Sequence, residues 1–278
     1  MAATQTSGTA NDDILFTVAD GILRITLNRP DMGNAVTQDQ RRQFGEWIER
    51  ANEDHAIRCV VLGATGRFFC TGADLSAPRD EAPVPEGQPE RVVGDTRRTM
   101  LRGAIATVHS ILDCEKPIIA AVQGTAAGIG CHLAFACDLV VAAESAKFIE
   151  VFARRGLAVD GLGSWLLPRL VGLQRAKELV FLADDVPAHR ALEIGLVTRV
   201  VPDEDLAATV DELAQRLASG PTKAHMVNKW LLNRSLDVDR HTLAGEEAWI
   251  VDVMANTLDS GEGVASFLER RPPNFRGL

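Results

Sequence analysis

An α/β fold with buried strands, continued by a helical C-terminal region, is predicted by three features of the sequence. Short apolar runs alternate with helical periodicity over the first 150 residues. Two glycine-rich turns each lie between a strand-like and a helix-like segment. Beyond about residue 165 the periodicity is mostly helical.

Ile22-Leu23-Arg24-Ile25-Thr26-Leu27 reads as a strand with Leu23, Ile25 and Leu27 on one face, and Asn28-Arg29-Pro30-Asp31 ends it. Residues 37–53 read as a helix whose apolar side carries Phe44, Trp47, Ile48 and Ala51. Cys59-Val60-Val61-Leu62, Pro117 to Val122 and Leu139 to Ala142 are short apolar runs of the kind found in strands buried on both faces. Residues 76–96 break the pattern with prolines and charges, and read as a loop or lid between ordered parts. Helical periodicity then covers 174–182, 188–194, 204–218, 222–235 and 240–258, with Gly220-Pro221 as punctuation and RRPPNFRGL as the stop.

Composition narrows the function. The 278 residues are 46% apolar and 24% charged, as in ordinary globular proteins. A formal charge of -9 argues against nucleic acid or an anionic membrane as the main partner. No apolar run approaches the ~20 residues of a membrane-spanning helix. The start, MAATQTSGTANDD, lacks the features of a secretory signal and reads as a polar tail over residues 1–13. Cysteines 59, 70, 114, 131 and 137 form no Cys-x-x-Cys pair, and read as buried thiols of a cytoplasmic protein without disulfides or zinc.

The two glycine turns are Gly66-Arg67-Phe68-Phe69-Cys70-Thr71-Gly72-Ala73-Asp74-Leu75 and Gly124-Thr125-Ala126-Ala127-Gly128-Ile129-Gly130-Cys131-His132-Leu133. Glycine allows a sharp turn and close approach of a ligand, and a helix start offers unpaired N–H groups. Two such amides aimed at one point would make an oxyanion hole; the alternative is a pair of tight turns and nothing more. Neither segment has the Gly-Lys-Ser/Thr ending of a P-loop or the Gly-x-Gly-x-x-Gly of a dinucleotide fold.

The ordered motifs LNRPDMGNA, GRFFCTGADL, KPIIAAVQGTAAGIGCHLAFACDLVVAAESAKF and RRGLAVDGLGSWLLPRLVG, with the ending GEGVASFLERRPPNFRG, closely resemble the crotonase (enoyl-CoA hydratase/isomerase) superfamily from about residue 14 onward. The resemblance implies a spiral of ββα units over 14–200 and a helical trimerisation region over 201–278, assembled as a trimer or dimer of trimers. Ala244, Trp249 and Val253 are the expected contact residues of that region by helical spacing. The resemblance also implies an acyl-CoA thioester substrate, with no separate cofactor or metal because coenzyme A belongs to the substrate. The amides of Ala73 and Ile129 would hold the thioester oxygen. Arg29, Arg67, Asp74, Leu75, Lys229, Phe267 and Arg270 stand at positions implied to bind coenzyme A. Met100, Leu101, Ala104 and Ile105 would line the acyl pocket with the 76–96 lid.

The chain departs from the hydratase pattern. The two glutamates of the best-known hydratases correspond to His132 and Phe152. Asp160, in Gly156-Leu157-Ala158-Val159-Asp160-Gly161, matches the aspartate of isomerases in the superfamily. One carboxylate can take a proton from one carbon and return it to another, whereas hydration needs an acid and a base around a water. The expectation is therefore an isomerase using Asp160, with His132 as a second catalytic or orienting group. A hydratase built on His132 and Asp160, and an acyl-CoA binder without chemistry, are the competing readings. His55, His109, His189, His225 and His241 read as structural or surface residues.

Overall fold

The chain opens with a tight hairpin. β1 (Ile14–Ala19) and β2 (Ile22–Leu27) pair antiparallel across Asp20-Gly21, both of which have positive φ as a two-residue hairpin turn requires. The computed structural model describes residues 13–77, 86–87 and 92–278. The expected polar tail, and most of the expected lid, therefore lie outside the described residues.

α1 (Gln38–Glu53) starts at a capping box in which Thr37 accepts from the Gln40 amide and the Gln40 side chain accepts from the Thr37 amide. Phe44, Ile48 and Ala51 are buried on its inner side, and Trp47 stacks on Phe16 at 4.4 Å between ring centres. The chain then enters β3 (Cys59–Ala64) and, past the first glycine turn, α2 (Asp95–Met100). α2 runs through a π turn at Leu101–Ile105 into α3 (Ala106–Leu112). The end of the expected lid is thus helical from Asp95.

β4 (Ile118–Val122), β5 (Thr125–Ala127) and α4 (Ile129–Phe135) form one strand–strand–helix unit. β6 (Leu139–Ala143), β7 (Lys147–Ile149) and α5 (Gly163–Val171) form the next. After α6 (Leu173–Leu182) come β8 (Val186–Pro187), α7 (Ala188–Glu193) and β9 (Arg199–Val201). The first strand of each unit joins a six-stranded sheet of order β1-β2-β3-β4-β6-β9, parallel from β2 onward. The second joins a three-stranded sheet of order β5-β7-β8. This is the ββα repetition that the resemblance implies.

Both faces of the large sheet are covered, which is why its strands read as continuous apolar runs. Leu23, Ile25, Val60, Leu62 and Ala120 point into the main core. Ile22, Cys59, Val61, Ile119 and Val141 point the other way, against Val210, Leu213 and Ala214 of α8 (Leu206–Ala218). All five cysteines are buried and free.

α9 (Thr222–Arg234) follows. The helix expected over 240–258 is α10 (Arg240–Met254), which ends four residues early, and a separate helix follows as α11 (Leu258–Glu269). Apolar periodicity runs through the break, but Thr257 caps α11 by accepting from the Ser260 amide and so ends the first helix. α10 buries no residue within its own chain; Trp249 is 75% exposed. No helix among the described residues is long and apolar enough to cross a membrane.

Candidate active site

The two glycine turns come together through main-chain pairing. Cys70 of the first bridges to Ala126 of the second, with the Cys70 amide donating to Thr125 and the Ala127 amide donating to Cys70. On its other side the first turn pairs with Val36: the Val36 amide donates to Gly72 and the Asp74 amide donates to Val36. Buried Asn34 locks this arrangement, its side-chain amide donating to the carbonyls of Thr65 (2.9 Å) and Phe68 (2.7 Å).

Glycine is required in the second turn for two reasons. Gly128 has φ +53, which few other residues adopt, and a Cβ on Gly130 would sit 2.2 Å from the Cys70 carbonyl oxygen. The bare backbone therefore permits the contact between turns. Among the described residues, the amides of Ala73 and Ile129 donate to no backbone acceptor. Ile129 is the first residue of α4, where an amide has no partner within the helix.

Asp160 lies in the loop before α5, at a turn completed by Gly161 (φ +50) and Leu162 (φ +62), the latter uncommon for a side-chain-bearing residue. Its carboxylate is half-buried and has no hydrogen-bond or ion-pair partner among the described residues. Burial pushes its pKa above the usual carboxylate range and Glu150 adds to the rise, while the Arg41 cation, and His132 whenever its ring is protonated, pull it back.

His132 is fully buried on α4. Its Nε2 is 3.0 Å from Oε2 of buried Glu150, which follows β7 directly. The ring stacks on Phe152 at 5.6 Å between centres. On the opposite side it lies against bare backbone: a Cβ on Gly163 would be 2.4 Å from Nε2, and one on Gly161 would be 3.1 Å from Nδ1. Three buried polar atoms nearby have no partner among the described residues: His132 Nδ1, Glu150 Oε1 and Arg41 Nε. Arg41 reaches this region from α1, and burial lowers its pKa while the Asp160 charge raises it.

Glu150 and Arg41 were not anticipated from sequence, though both left a trace. Glu150 is a lone carboxylate within Phe148-Ile149-Glu150-Val151-Phe152. Arg41 precedes Ile48 by seven residues and Phe44 by three, which puts it beside the buried stripe of α1.

The residues expected to bind coenzyme A divide into three groups. Arg29 and Asp74 bind each other at 3.0 Å; Arg29 also donates to the Ala35 carbonyl, and Ser76 and Arg29 hold the Asp74 pKa down to about 2. They brace the first glycine turn. Leu75 is exposed, and Arg67 lies over the Phe68 ring beside a groove of about 350 Å³ shared with Gln123, Lys147 and Asp203. Lys229 is a correction. Its ammonium donates to the carbonyls of Ile111 and Lys116 and to Asp138, so all three of its hydrogens serve the fold. Phe267 and Arg270 are exposed at the end of α11, and no hydrogen bond or ion pair ties either to the site.

The sequence profile of the enoyl-CoA hydratase/isomerase family matches residues 17–277. The chain is 37% identical over 274 residues to 1,2-epoxyphenylacetyl-CoA isomerase of Escherichia coli, covering 95% of this chain and 98% of the relative. It is 32% identical over 256 residues to 2,3-dehydroadipyl-CoA hydratase of the same organism, covering 92% and 95%. Among solved structures, an enoyl-CoA hydratase/isomerase from Cupriavidus metallidurans superposes with a TM-score of 0.86 at 32% identity, covering 98% of each chain. The profile match spans nearly the whole chain, the relatives are aligned over nearly their full length, and the ββα core is shared. The chain belongs to the enoyl-CoA hydratase/isomerase (crotonase) family.

Proposed function

We propose that this enzyme moves a carbon–carbon double bond within an enoyl-CoA, with Asp160 carrying the proton. The observation that supports this reading best is the Asp160 carboxylate itself. It is half-buried, unpartnered and less acidic than a free aspartate, beside a fully buried histidine. A carboxylate in that state binds a proton more readily and still releases it, as a single-group shuttle needs.

The amides of Ala73 and Ile129 receive the thioester oxygen as negative charge develops on it. The support is their lack of backbone acceptors and the main-chain pairing of their two turns. Donors of this kind, fixed before the reaction, are worth roughly 3 kcal/mol each at the transition state. Arg67 and the exposed Leu75 remain candidates for coenzyme A contact, with Phe267 and Arg270 serving a neighbouring subunit. The proton shuttle calls for no metal or redox cofactor. A cytoplasmic location fits the five buried free thiols.

Hydration is the second reading, favoured by one observation: His132 and Glu150 form an ionisable pair next to Asp160. The named relatives include both an isomerase and a hydratase. Mass spectrometry of products from 2-enoyl, 3-enoyl and dienoyl-CoAs separates the two. Isomerisation leaves the mass unchanged and alters retention and ultraviolet absorbance. A product heavier by one water would replace the isomerase reading with the hydratase one; no product from any member would leave a binder.

We also assign the exposed face of α10 to assembly into a trimer or dimer of trimers, since a helix that buries nothing alone needs an external partner. Light scattering at micromolar concentration should report a multiple of three chains, and a clean monomer would refute it.

A further inference from the structure

Beyond Asp160, the same region holds a buried carboxylate that no step above uses. Glu150 has one oxygen against His132 Nε2 and the other without a partner. An ionisable group in that state costs stability unless it is kept for a purpose. We propose that Glu150 is a positioning residue: it accepts the Nε2 proton of His132 and so presents the Nδ1 lone pair toward the Asp160–Gly161 turn. The inference rests on the reading of Asp160 as proton carrier.

The tautomer follows from the accounting of hydrogens. The nearest partner of Nε2 is the Glu150 carboxylate, so the ring hydrogen belongs on Nε2. With the hydrogen on Nδ1, that N–H would be a buried donor with no acceptor, since Nδ1 has no partner among the described residues. A doubly protonated ring would leave the same orphan N–H, now bearing charge. Unpaired buried donors are rarer than under-used acceptors, so the neutral Nε2–H form costs least. Phe152 stacks on the ring, and Gly161 and Gly163 lie against its Nδ1 and Nε2 atoms. The other charged or titratable groups facing this cluster are Arg41 from α1, Cys70 from the first glycine turn and Cys131 from α4. Burial pushes Cys70 up to about 12 and Cys131 well above its ordinary value, so both stay neutral thiols.

The consequence is chemical. Asp160 removes a proton from a substrate carbon, and the C–H electron pair enters the enolate. The new Asp160 O–H then lies near a neutral ring whose bare Nδ1 faces the Asp160–Gly161 turn. The proton returns from Asp160 to a different carbon, the carboxylate re-forms, and Nε2–H stays on His132 throughout. The lone pair thus favours the protonated Asp160 that coexists with the enolate, and Glu150 acts through His132.

The test uses the full-length enzyme. Nitrogen-15 NMR of the imidazole in the free wild type should show the proton on Nε2 and a bare Nδ1. In Glu150→Gln the two tautomers should mix, because an amide can accept or donate. With the best substrate from the panel, Glu150→Gln should lower kcat about 10- to 100-fold, the range for outer partners of functional histidines, with KM within about twofold. The acid limb of its kcat profile should move to lower pH, since Asp160 loses a negative neighbour. Glu150→Asp should restore part of the rate. A wild-type proton on Nδ1, or on both nitrogens, overturns the proposal even if no variant folds. A Glu150→Gln profile identical to wild type also overturns it. His132→Phe gives an independent sign: loss of a neutral acceptor moves the Asp160 limb down in pH, whereas loss of a cation would move it up and refute the proposal. Failure of the Asp160 reading shows separately, as Asp160→Asn turning over at the wild-type rate while the tautomer stands.

Discussion

Two ionic clusters sit inside this molecule, and they are built on opposite rules. At Lys229 the charges are matched: the ammonium has three acceptors, and Asp138 in turn accepts from the Ile118 amide at 2.7 Å. At Asp160 they are not: among the described residues the carboxylate is unpartnered, and His132, Glu150 and Arg41 each keep an orphan atom. Burial raises the Asp138 pKa, but Lys229 and the Ile118 amide counter it; Asp160 meets no hydrogen-bond donor to do the same. A satisfied cluster fixes where α9 docks against the end of α3. An unsatisfied one holds groups whose remaining capacity is free for a ligand.

Three measurements would break or sharpen that contrast. The largest effect should come from Asp160→Asn, which keeps shape and removes the base. It should lower kcat by about 100- to 10,000-fold while acyl-CoA affinity stays near wild type, because the oxyanion donors are backbone. Rapid-mix kinetics with calorimetric titration checks both halves; a wild-type rate would make Asp160 structural.

Next comes Lys229→Met. Removing the ammonium leaves Asp138, which is partly exposed, and the Ile111 and Lys116 carbonyls without their donor, and should cost about 1–3 kcal/mol of stability, seen in urea unfolding. The KM of the folded fraction should not change. A raised KM with unchanged stability would return Lys229 to the coenzyme A site and erase the contrast.

The smallest effect is on melting temperature. Asp160 has a raised pKa in the folded state, so the fold binds its proton more tightly than the unfolded chain does. Stability from this group is therefore present at low pH and lost as pH rises through the folded-state value. Asp160→Asn should raise Tm by about 1–3 °C at pH 8 and not at pH 3. A gain at both pH values would point to packing instead of charge.

The fold was legible wherever one element carries its own signal. β3, β4 and β6 lie where the continuous apolar runs stand, because strands buried on both faces have no polar alternation, and β2 lies where Leu23, Ile25 and Leu27 alternate with Arg24 and Thr26. The three-residue strands β5 and β7 are too short to show a period and are defined by pairing. α11 was not marked as a separate helix, because one threonine hydroxyl sets its start. In the candidate site, the two glycine turns and Asp160 could be singled out from the sequence because turns and motifs are local. Glu150 was not singled out, because its partner is 18 positions away and only the pairing of β5 with β7 brings the two together. Lys229 was misread for a related reason: its acceptors lie more than 90 residues earlier, and nothing in α9 distinguishes an anchoring lysine from a solvated one.

The bare backbone at Gly161 and Gly163 makes the seat of His132 a matter of volume as well as bonding. Any side chain at 163 would occupy space the imidazole already fills, 2.4 Å from Nε2. Histidine at 132 and glycine at 163 are thus one choice written at two positions. A lone Gly163→Ala must expel the ring and open the turn that carries Asp160. Paired with a smaller residue at 132, the same methyl would lose its clash with the ring and keep only the one with Val159 Cγ2 at 2.7 Å, so the two exchanges should be less harmful together than Gly163→Ala is alone.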